Sequence, residues 1–244
     1  METNGKVALV TGSAVRVGKR IAVALAGRGM HVAVHYHASV GPAEETVAEI
    51  RALGVEAEPF QADLSKLSEV HGLFEAIDAR WRRLDVLVNS AAIFPRTPWE
   101  EIDEATWDYT LDVNLKAPFF TAWHAVPLMR RSGGGKIVNI ADWAGLRPYK
   151  NYLPYVISKG GIITMTKALA LELAPSIAVN AVAPGPVMLP EDFSDAAADR
   201  IRKATLLDRL GSPDDVAQSV IYLVAMTDFI TGHVLVVDGG RLIA

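Results

Sequence analysis

The sequence contains no cysteine among its 244 residues, which excludes disulfides, zinc sites built from thiolates and catalysis by a thiol. It also lacks any apolar run near the about 18 residues of a membrane span, and its opening stretch METNGKVALV turns polar too soon for a signal peptide. Neither sign of charge is in large excess, because 24 Lys and Arg stand against 28 Asp and Glu, a formal net charge of −4. We therefore expect a cytoplasmic protein that binds neither nucleic acid nor a membrane.

What the sequence does contain is a series of short apolar segments that alternate with segments of helical period. The predicted strands are KVALV, HVAVHY, VEAEPFQ, DVLVNS, KIVNI, IAVNAVA and HVLVVD. The predicted helices are residues 18–27, 42–53, 65–81, 106–131, 152–173 and 213–225, the last with Ser212 as N-cap. Apolar strands that alternate with helices indicate a parallel sheet covered on both faces. We predict one α/β domain, residues 1–244, with a Rossmann-type doubly wound sheet and a substrate lid at about 188–205.

The first strand leads directly into TGSAVRVGKR, a glycine-containing turn followed by a helix. Such a turn presents backbone N–H groups and the positive end of the helix to a pyrophosphate. The residues predicted to lie against it are Gly12, Arg16, Val17 and Gly18. Arg16 replaces the middle glycine of the usual pattern, and a cation at a helix N-terminus opposes the helix dipole. A bound phosphate would relieve that conflict, so the turn predicts a dinucleotide cofactor.

The end of the second strand indicates which dinucleotide binds. A carboxylate there usually holds the ribose of a cofactor without a 2′-phosphate, whereas a basic residue accommodates that phosphate. The strand ends HVAVHYHAS, with His37 and Ser39 and no carboxylate, which predicts NADPH/NADP+. The alternative is that His35 and His37 are ordinary alternating strand residues. Asp63 and Leu64, after the third strand, are predicted to border the adenine, unless ADLS is only an N-cap pair for the next helix.

A tyrosine and a lysine stand four residues apart in YLPYVISKGG, at the start of a predicted helix. Tyr155 and Lys159 therefore project from one face of that helix. The ammonium group lowers the free energy needed to ionise the phenol, which predicts proton transfer by Tyr155 near neutral pH. The pattern becomes specific in combination with the glycine turn, NSAA after the fourth strand, Asn114 in DVNLKAPFF and VDGG at 237–240.

Together these motifs resemble the short-chain dehydrogenase/reductase family over essentially the whole chain. The resemblance implies that Asn114 holds a proton-relay water, that Tyr155 is the acid, and that Lys159 binds the nicotinamide ribose and tunes the tyrosine. Further cofactor contacts implied by the resemblance are Asn89, Ala91, Pro184, Gly185 and Val187. It also implies a homotetramer, in which the helix 152–173, apolar nearly all round, would be covered on a second side.

The sequence departs from this family in the stretch NIADWAG. Asp142 stands where the family has a serine that hydrogen-bonds the substrate carbonyl. A carboxylate accepts hydrogen bonds from amino groups and, when desolvated, can itself carry a proton. It therefore suits a nitrogen heterocycle whose C=N bond takes hydride at carbon and a proton at nitrogen. The alternative is that Asp142 only caps the turn before Trp143.

Within the family, these features most resemble the pteridine reductases, which share an arginine in the glycine turn, an HYH strand and an aspartate in place of the serine. Tyr152 and Tyr155 match the paired tyrosines of those enzymes. Phe94 matches the aromatic residue that stacks on the pterin. Met188, at the start of the predicted lid, is a further predicted substrate contact.

Two positions differ from the pteridine reductases. Ala92 stands where those enzymes commonly have a hydroxyl, and Ala38 stands where the cofactor phosphate often meets an arginine.

Our main hypothesis is an NADPH-dependent reductase of a dihydropterin- or dihydrofolate-type heterocycle, with Tyr155 and Asp142 delivering the proton. One alternative is an NADPH-dependent carbonyl or 3-oxoacyl reductase.

A second alternative is a non-catalytic NADP-binding sensor or scaffold, and binding alone would not require a tyrosine acid.

The histidines outside the predicted site have no spacing that favours a metal, so no metal site is predicted; they are His71, His124 and His233.

Overall fold

Seven parallel strands form one sheet in the computed structural model, which describes residues 1–188 and 194–244. The strands are β1 Val7–Val10, β2 His31–Tyr36, β3 Ala57–Gln61, β4 Val86–Asn89, β5 Gly135–Ile140, β6 Ile177–Pro184 and β7 Val234–Val237. Their order in the sheet is β3-β2-β1-β4-β5-β6-β7. The chain thus builds outward from β1 to β3 and then returns to place β4 on the other side of β1. This arrangement confirms the predicted doubly wound sheet and creates a crevice where the strand order reverses.

Eight α-helices connect these strands in the described ranges. They are α1 Arg16–Ala26, α2 Val40–Arg51, α3 Leu67–Trp81, α4 Glu104–Leu111, α5 Ala117–Arg131, α6 Leu153–Leu173, α7 Asp195–Lys203 and α8 Pro213–Ile221. The predicted helix 106–131 is divided in two by a π-helical turn at Asp112–Lys116. The predicted lid contains α7, whereas its residues 189–193 lie outside the described part of the chain.

The start of α8 follows the predicted capping chemistry. The Ser212 hydroxyl accepts a hydrogen bond from Asp215 N at 3.3 Å, and the Asp215 carboxylate accepts one from Ser212 N at 2.7 Å. This reciprocal pair satisfies two backbone donors that the helix itself leaves without partners.

Side chains alternate between two cores, one on each face of the sheet. Ala8 and Val10 of β1 pack with α1, α2 and α8, whereas Val7 and Leu9 pack with α3 and α5.

The helix α6 buries Ile162 yet leaves Leu171 84% exposed. Among the described helices, none combines the length and apolar character needed to cross a membrane.

Candidate active site

A cavity of about 730 Å³ opens at the carboxyl ends of β1, β4, β5 and β6. Its volume lies within the range of pockets that bind small molecules and cofactors. Most of the predicted site residues line it, namely Gly12, Arg16, Val17, Gly18, His37, Asp63, Leu64, Ala91, Phe94, Asp142, Tyr152, Tyr155, Lys159, Pro184, Gly185, Val187 and Met188. Three predicted residues do not line it, namely Ser39, Asn89 and Asn114.

The glycine turn after β1 packs too closely for larger residues. Gly12 has a φ of +65°, and a Cβ added to it would lie 2.8 Å from the Cα of Ala91. A Cβ on Gly18 would lie 2.2 Å from the carbonyl oxygen of Gly12. The helix α1 then begins at Arg16 without a side-chain cap, so its first N–H groups remain open toward the cavity. These donors and the helix dipole fit a pyrophosphate.

Arg16 takes a left-handed backbone conformation, with a φ of 55°. Its Nη2 donates a hydrogen bond to the carbonyl oxygen of Met188 at 3.2 Å. The side chain therefore connects the start of α1 to the segment that follows β6. Both of these segments line the cavity, as does the glycine turn.

His35 is a functional residue that the sequence analysis treated only as an ordinary strand residue. Its ring is buried; Nδ1 accepts a hydrogen bond from Gly12 N at 3.0 Å, and Nε2 lies 3.1 Å from the carbonyl oxygen of Ala62. Because Gly12 N is a donor, Nδ1 carries no proton and Nε2 donates to Ala62. Burial lowers the pKa of His35 to about 4. The neutral ring thus fixes the glycine turn against the segment after β3.

The residues predicted to select the cofactor divide into two groups. His37 is exposed at the end of β2, with Nε2 3.9 Å from Oδ2 of Asp63. Partial burial acts to raise the pKa of Asp63, but hydrogen bonds from Ser65 and the nearby His37 lower it overall. Ser39 instead occupies the N-cap position of α2, outside the cavity wall.

The two predicted asparagines lie beneath the cavity rather than on its wall. The amide of Asn89 is buried and donates to Asn139 Oδ1 at 2.9 Å and to the Pro118 carbonyl oxygen at 3.2 Å. Asn114, in the π-helical turn, accepts from Ile93 N at 2.8 Å and donates to the Ile93 carbonyl oxygen at 2.9 Å. The Asn89 side chain therefore ties β4 to β5 and α5, and the Asn114 side chain braces the segment that follows β4.

Asp142 and Tyr155 form the centre of the site. The hydroxyl of Tyr155 donates a hydrogen bond to Oδ2 of Asp142 at 2.7 Å, and Ala144 N donates to Oδ1 at 2.7 Å. Asp142 follows β5 and caps a short 3₁₀ turn at Trp143–Gly145. The carboxyl group therefore both caps the turn and contacts the predicted acid. Lys159, one turn along α6 from Tyr155, donates to the Ile140 carbonyl oxygen at 2.8 Å.

The electrostatics of this group differ from the prediction. Burial, followed by the Asp142 carboxylate, raises the pKa of Tyr155 well above its ordinary range. Burial also raises the pKa of Asp142, against the hydrogen bonds from Ala144 and Tyr155. The pKa of Lys159 falls to about 8 because the ammonium group is buried, although Asp142 acts to raise it. The expected lowering of the tyrosine pKa by Lys159 is therefore outweighed, and the phenol stays protonated as an acid must.

An aromatic cluster lines the cavity beside Tyr155. The rings of Phe94 and Tyr152 are stacked, with centroids 4.3 Å apart and planes 6° apart, and Phe94 meets Tyr155 edge-on at 4.6 Å. Tyr149, which the sequence analysis missed, joins Tyr152 to Trp143 through centroid distances of 5.6 and 5.8 Å. Phe94 is 42% exposed, so part of its side chain remains accessible. Such a wall favours flat or apolar substrates.

The described residues contain no group of three or more His, Asp or Glu side chains placed to hold a metal ion.

Comparisons with known proteins agree over nearly the whole chain. The family model described as enoyl-(acyl carrier protein) reductase matches residues 12–241. The 3-oxoacyl-[acyl-carrier-protein] reductase FabG of Staphylococcus aureus (strain Mu50) is 37% identical over 241 residues, 96% of this chain and 97% of that protein.

Two solved structures share the fold. A provisionally named short-chain alcohol dehydrogenase from Sinorhizobium meliloti 1021 superposes with a TM-score of 0.94 and 34% identity, over 99% of this chain and 98% of that one. Acetoin dehydrogenase YohF from Salmonella typhimurium gives a TM-score of 0.90 and 32% identity, over 98% and 97%. The chain belongs to the short-chain dehydrogenase/reductase family of oxidoreductases.

Proposed function

We propose that this protein is an NADPH-dependent reductase of carbonyl groups in 3-oxoacyl or related small molecules. The observation that carries the proposal is the partly buried hydrogen bond from Tyr155 to Asp142, with Lys159 on the same helix, at the wall of a cofactor-sized cavity. Relatives named as 3-oxoacyl reductases support a carbonyl substrate better than they support a pterin. The short-chain family resemblance also favours a homotetramer and a cytoplasmic location, which stay predictions.

The cofactor end of the cavity fits NADPH. The open start of α1 would hold the pyrophosphate, and Arg16 and His37 supply the positive or protonatable groups that a 2′-phosphate requires. No carboxylate stands at the end of β2 to favour NADH. Bound NADPH would supply the hydride for the carbonyl carbon.

The protein's own groups supply the proton and the orientation. The Tyr155 hydroxyl is kept protonated because burial raises its pKa. It would release its hydrogen bond to Asp142 and donate its proton to the carbonyl oxygen as negative charge develops there. Lys159 holds a cationic group under the phenol, with Nζ 5.7 Å from the centroid of the ring. This charge would stabilise the phenolate left after transfer. The aromatic cluster would exclude water from the reacting group.

Asp142 can replace the family's serine when it is protonated. Burial raises its pKa, so its neutral form is more accessible than that of an ordinary aspartate. A neutral carboxyl group donates one hydrogen bond and thus serves a carbonyl oxygen as a serine hydroxyl does. When ionised, the same group would accept from a substrate amino group instead.

That second state favours a second candidate, the reduction of a dihydropterin-like heterocycle. Two observations support it: Asp142 contacts the acid directly, and Phe94, an aromatic residue of the same cavity, is 42% exposed. The two candidates require opposite behaviour from Asp142, and this makes them separable.

The experiment is a substrate panel with wild type and Asp142→Ser, run with NADPH and with NADH. For carbonyl reduction, Asp142→Ser should retain or increase turnover of ethyl acetoacetate, and wild type should leave dihydrobiopterin unreduced. For pterin reduction, Asp142→Ser should lose at least about tenfold, because one partner of a charge-assisted bond is removed. Asp142→Asn is the matched control, since it keeps the shape but can neither ionise nor deliver a proton. If wild type reduces neither substrate class, both candidates are contradicted. If it uses NADH as well as NADPH, the cofactor assignment is contradicted.

A further inference from the structure

Arg241 reaches the catalytic cavity from the segment that follows β7. The Asp238 carboxylate accepts hydrogen bonds from Gly240 N at 2.9 Å and from Leu242 N at 2.6 Å. The backbone oxygen of Arg241 accepts a hydrogen bond from Arg147 Nη1 at 3.0 Å. These bonds on both sides of Arg241 fix its backbone, and its side chain forms part of the cavity wall.

The guanidinium group of Arg241 is held between two parts of that wall. Its central carbon lies 5.5 Å from the ring centroid of Trp143, within the range of a cation–π contact. Its Nη1 donates to the carbonyl oxygen of Ala204, just after α7, at 3.1 Å. A guanidinium group has five N–H donors, so further donors are available for a ligand. Little side-chain entropy would be lost on binding, because the group is already oriented.

The position of Arg241 links it to the substrate rather than to the cofactor. Trp143 directly follows Asp142 in the chain, and α7 lies within the predicted lid. The groups assigned to the cofactor phosphates, the start of α1 and His37, instead follow β1 and β2. Arg241 is therefore a cation beside the reacting end of the cavity, where a planar fork of donors matches a carboxylate or a phosphate.

We infer that Arg241 is a specificity-determining residue that binds an oxyanion, a carboxylate or a phosphate, carried by the substrate. The inference rests on the proposed reductase function. It adds that the natural substrate is an anion, whereas the proposed function concerns only the group that is reduced.

The test compares pairs of substrates that share the reacting group and differ in charge. Acetoacetate against ethyl acetoacetate tests a carboxylate close to the carbonyl. Acetoacetyl-pantetheine 4′-phosphate against acetoacetyl-pantetheine tests a distant phosphate. If the protein reduces dihydropterins and not ketones, dihydrofolate against dihydrobiopterin replaces both pairs.

The variants are Arg241→Gln, which removes the charge but keeps an amide donor for Ala204, and Arg200→Gln as control. Arg200 is an exposed arginine of α7 that lies outside the cavity wall, so its loss changes the net charge by the same amount. We expect Arg241→Gln to raise the KM of the anionic member of one pair about tenfold, as for a charge-assisted hydrogen bond, with kcat nearly unchanged. The substrate pair whose anionic member shows the raised KM identifies the group that Arg241 binds, a carboxylate or a phosphate. The neutral members and Arg200→Gln should show no such change.

Each other outcome contradicts the inference. Equal changes for charged and neutral members would mean that Arg241 only holds α7 in place. An unchanged KM for every anion would mean that the guanidinium does not contact substrate. Wild type inactive on all pairs would contradict the proposed function, a result distinct from an active enzyme that is indifferent to charge.

Discussion

Acidification should destabilise this protein through the single buried histidine that holds the glycine turn. His35 accepts the Gly12 N–H at Nδ1 and donates to the Ala62 carbonyl oxygen from Nε2, an arrangement that requires the neutral ring. A proton on Nδ1 would place two donors against each other inside the core. Burial accordingly lowers the pKa of His35 from 6.5 to about 4.

The magnitude follows from the difference between the two pKa values. Below pH 6.5 the unfolded chain binds a proton at this histidine, whereas the folded protein does not bind it until the pH nears 4. The free energy of unfolding therefore contains a contribution from His35 that is present above pH 6.5 and lost as the pH falls through that window. Near pH 5 the loss is about 2 kcal/mol, because each pKa unit corresponds to about 1.4 kcal/mol.

The measurement is urea unfolding of wild type and His35→Gln near pH 7 and near pH 5, at equal protein concentration and ionic strength. Glutamine offers a donor and an acceptor but does not titrate. Other groups titrate equally in both proteins, so the difference between their pH responses isolates His35. Wild type should lose about 2 kcal/mol more than the variant. Equal losses in the two proteins would refute the reasoning.

Two further predictions concern the catalytic acid and the glycine turn. Tyr155→Phe should lower kcat by about 10² or more while NADPH still binds, as measured by steady-state kinetics and cofactor fluorescence; near wild-type turnover would assign the acid elsewhere, with Asp142 examined first. Gly18→Ala places a Cβ 2.2 Å from the Gly12 carbonyl oxygen, so it should lower stability by about 1–3 kcal/mol and weaken NADPH binding. Gly72→Ala, in α3 with nothing within 4 Å of the added Cβ, should do neither, and similar effects of both changes in thermal unfolding would contradict the packing argument.

The sheet was predictable because its signal is local. A buried parallel strand is apolar along its whole length, and β2 runs over His31–Tyr36, the stretch HVAVHY identified from sequence. The common helix face of Tyr155 and Lys159 was predictable for the same reason, since spacing along a helix fixes direction. The π-helical turn at Asp112–Lys116 has no such local signature, and the predicted helix therefore ran through it.

The parts of the site that sequence reasoning missed depend on partners distant in the chain. The Asn89 amide is used by Asn139, 50 residues away, and no spacing rule connects them. The pKa of Tyr155 is governed by burial and by Asp142, which belongs to another element, rather than by the neighbouring Lys159. Desolvation depends on the whole fold, so the direction of the net pKa shift of Tyr155 cannot be deduced from a motif of five residues.

The paired hydrogen bonds between the Asn114 side chain and the backbone of Ile93 have a consequence for how the substrate range of this enzyme can change. A side-chain amide that binds both the N–H and the C=O of one residue reproduces a rung of a β-ladder. Phe94 directly follows Ile93 in the chain. The position of its ring in the aromatic cluster therefore depends on Asn114, which lies in the π-helical turn between α4 and α5. Substitutions there would shift the helices along with the ring. Ile201 of α7 and Arg241 after β7 also line the cavity, and among the described residues the Asn114 side chain bonds to neither of them. Directed evolution toward larger or differently charged substrates should therefore accumulate its changes in that part of the wall.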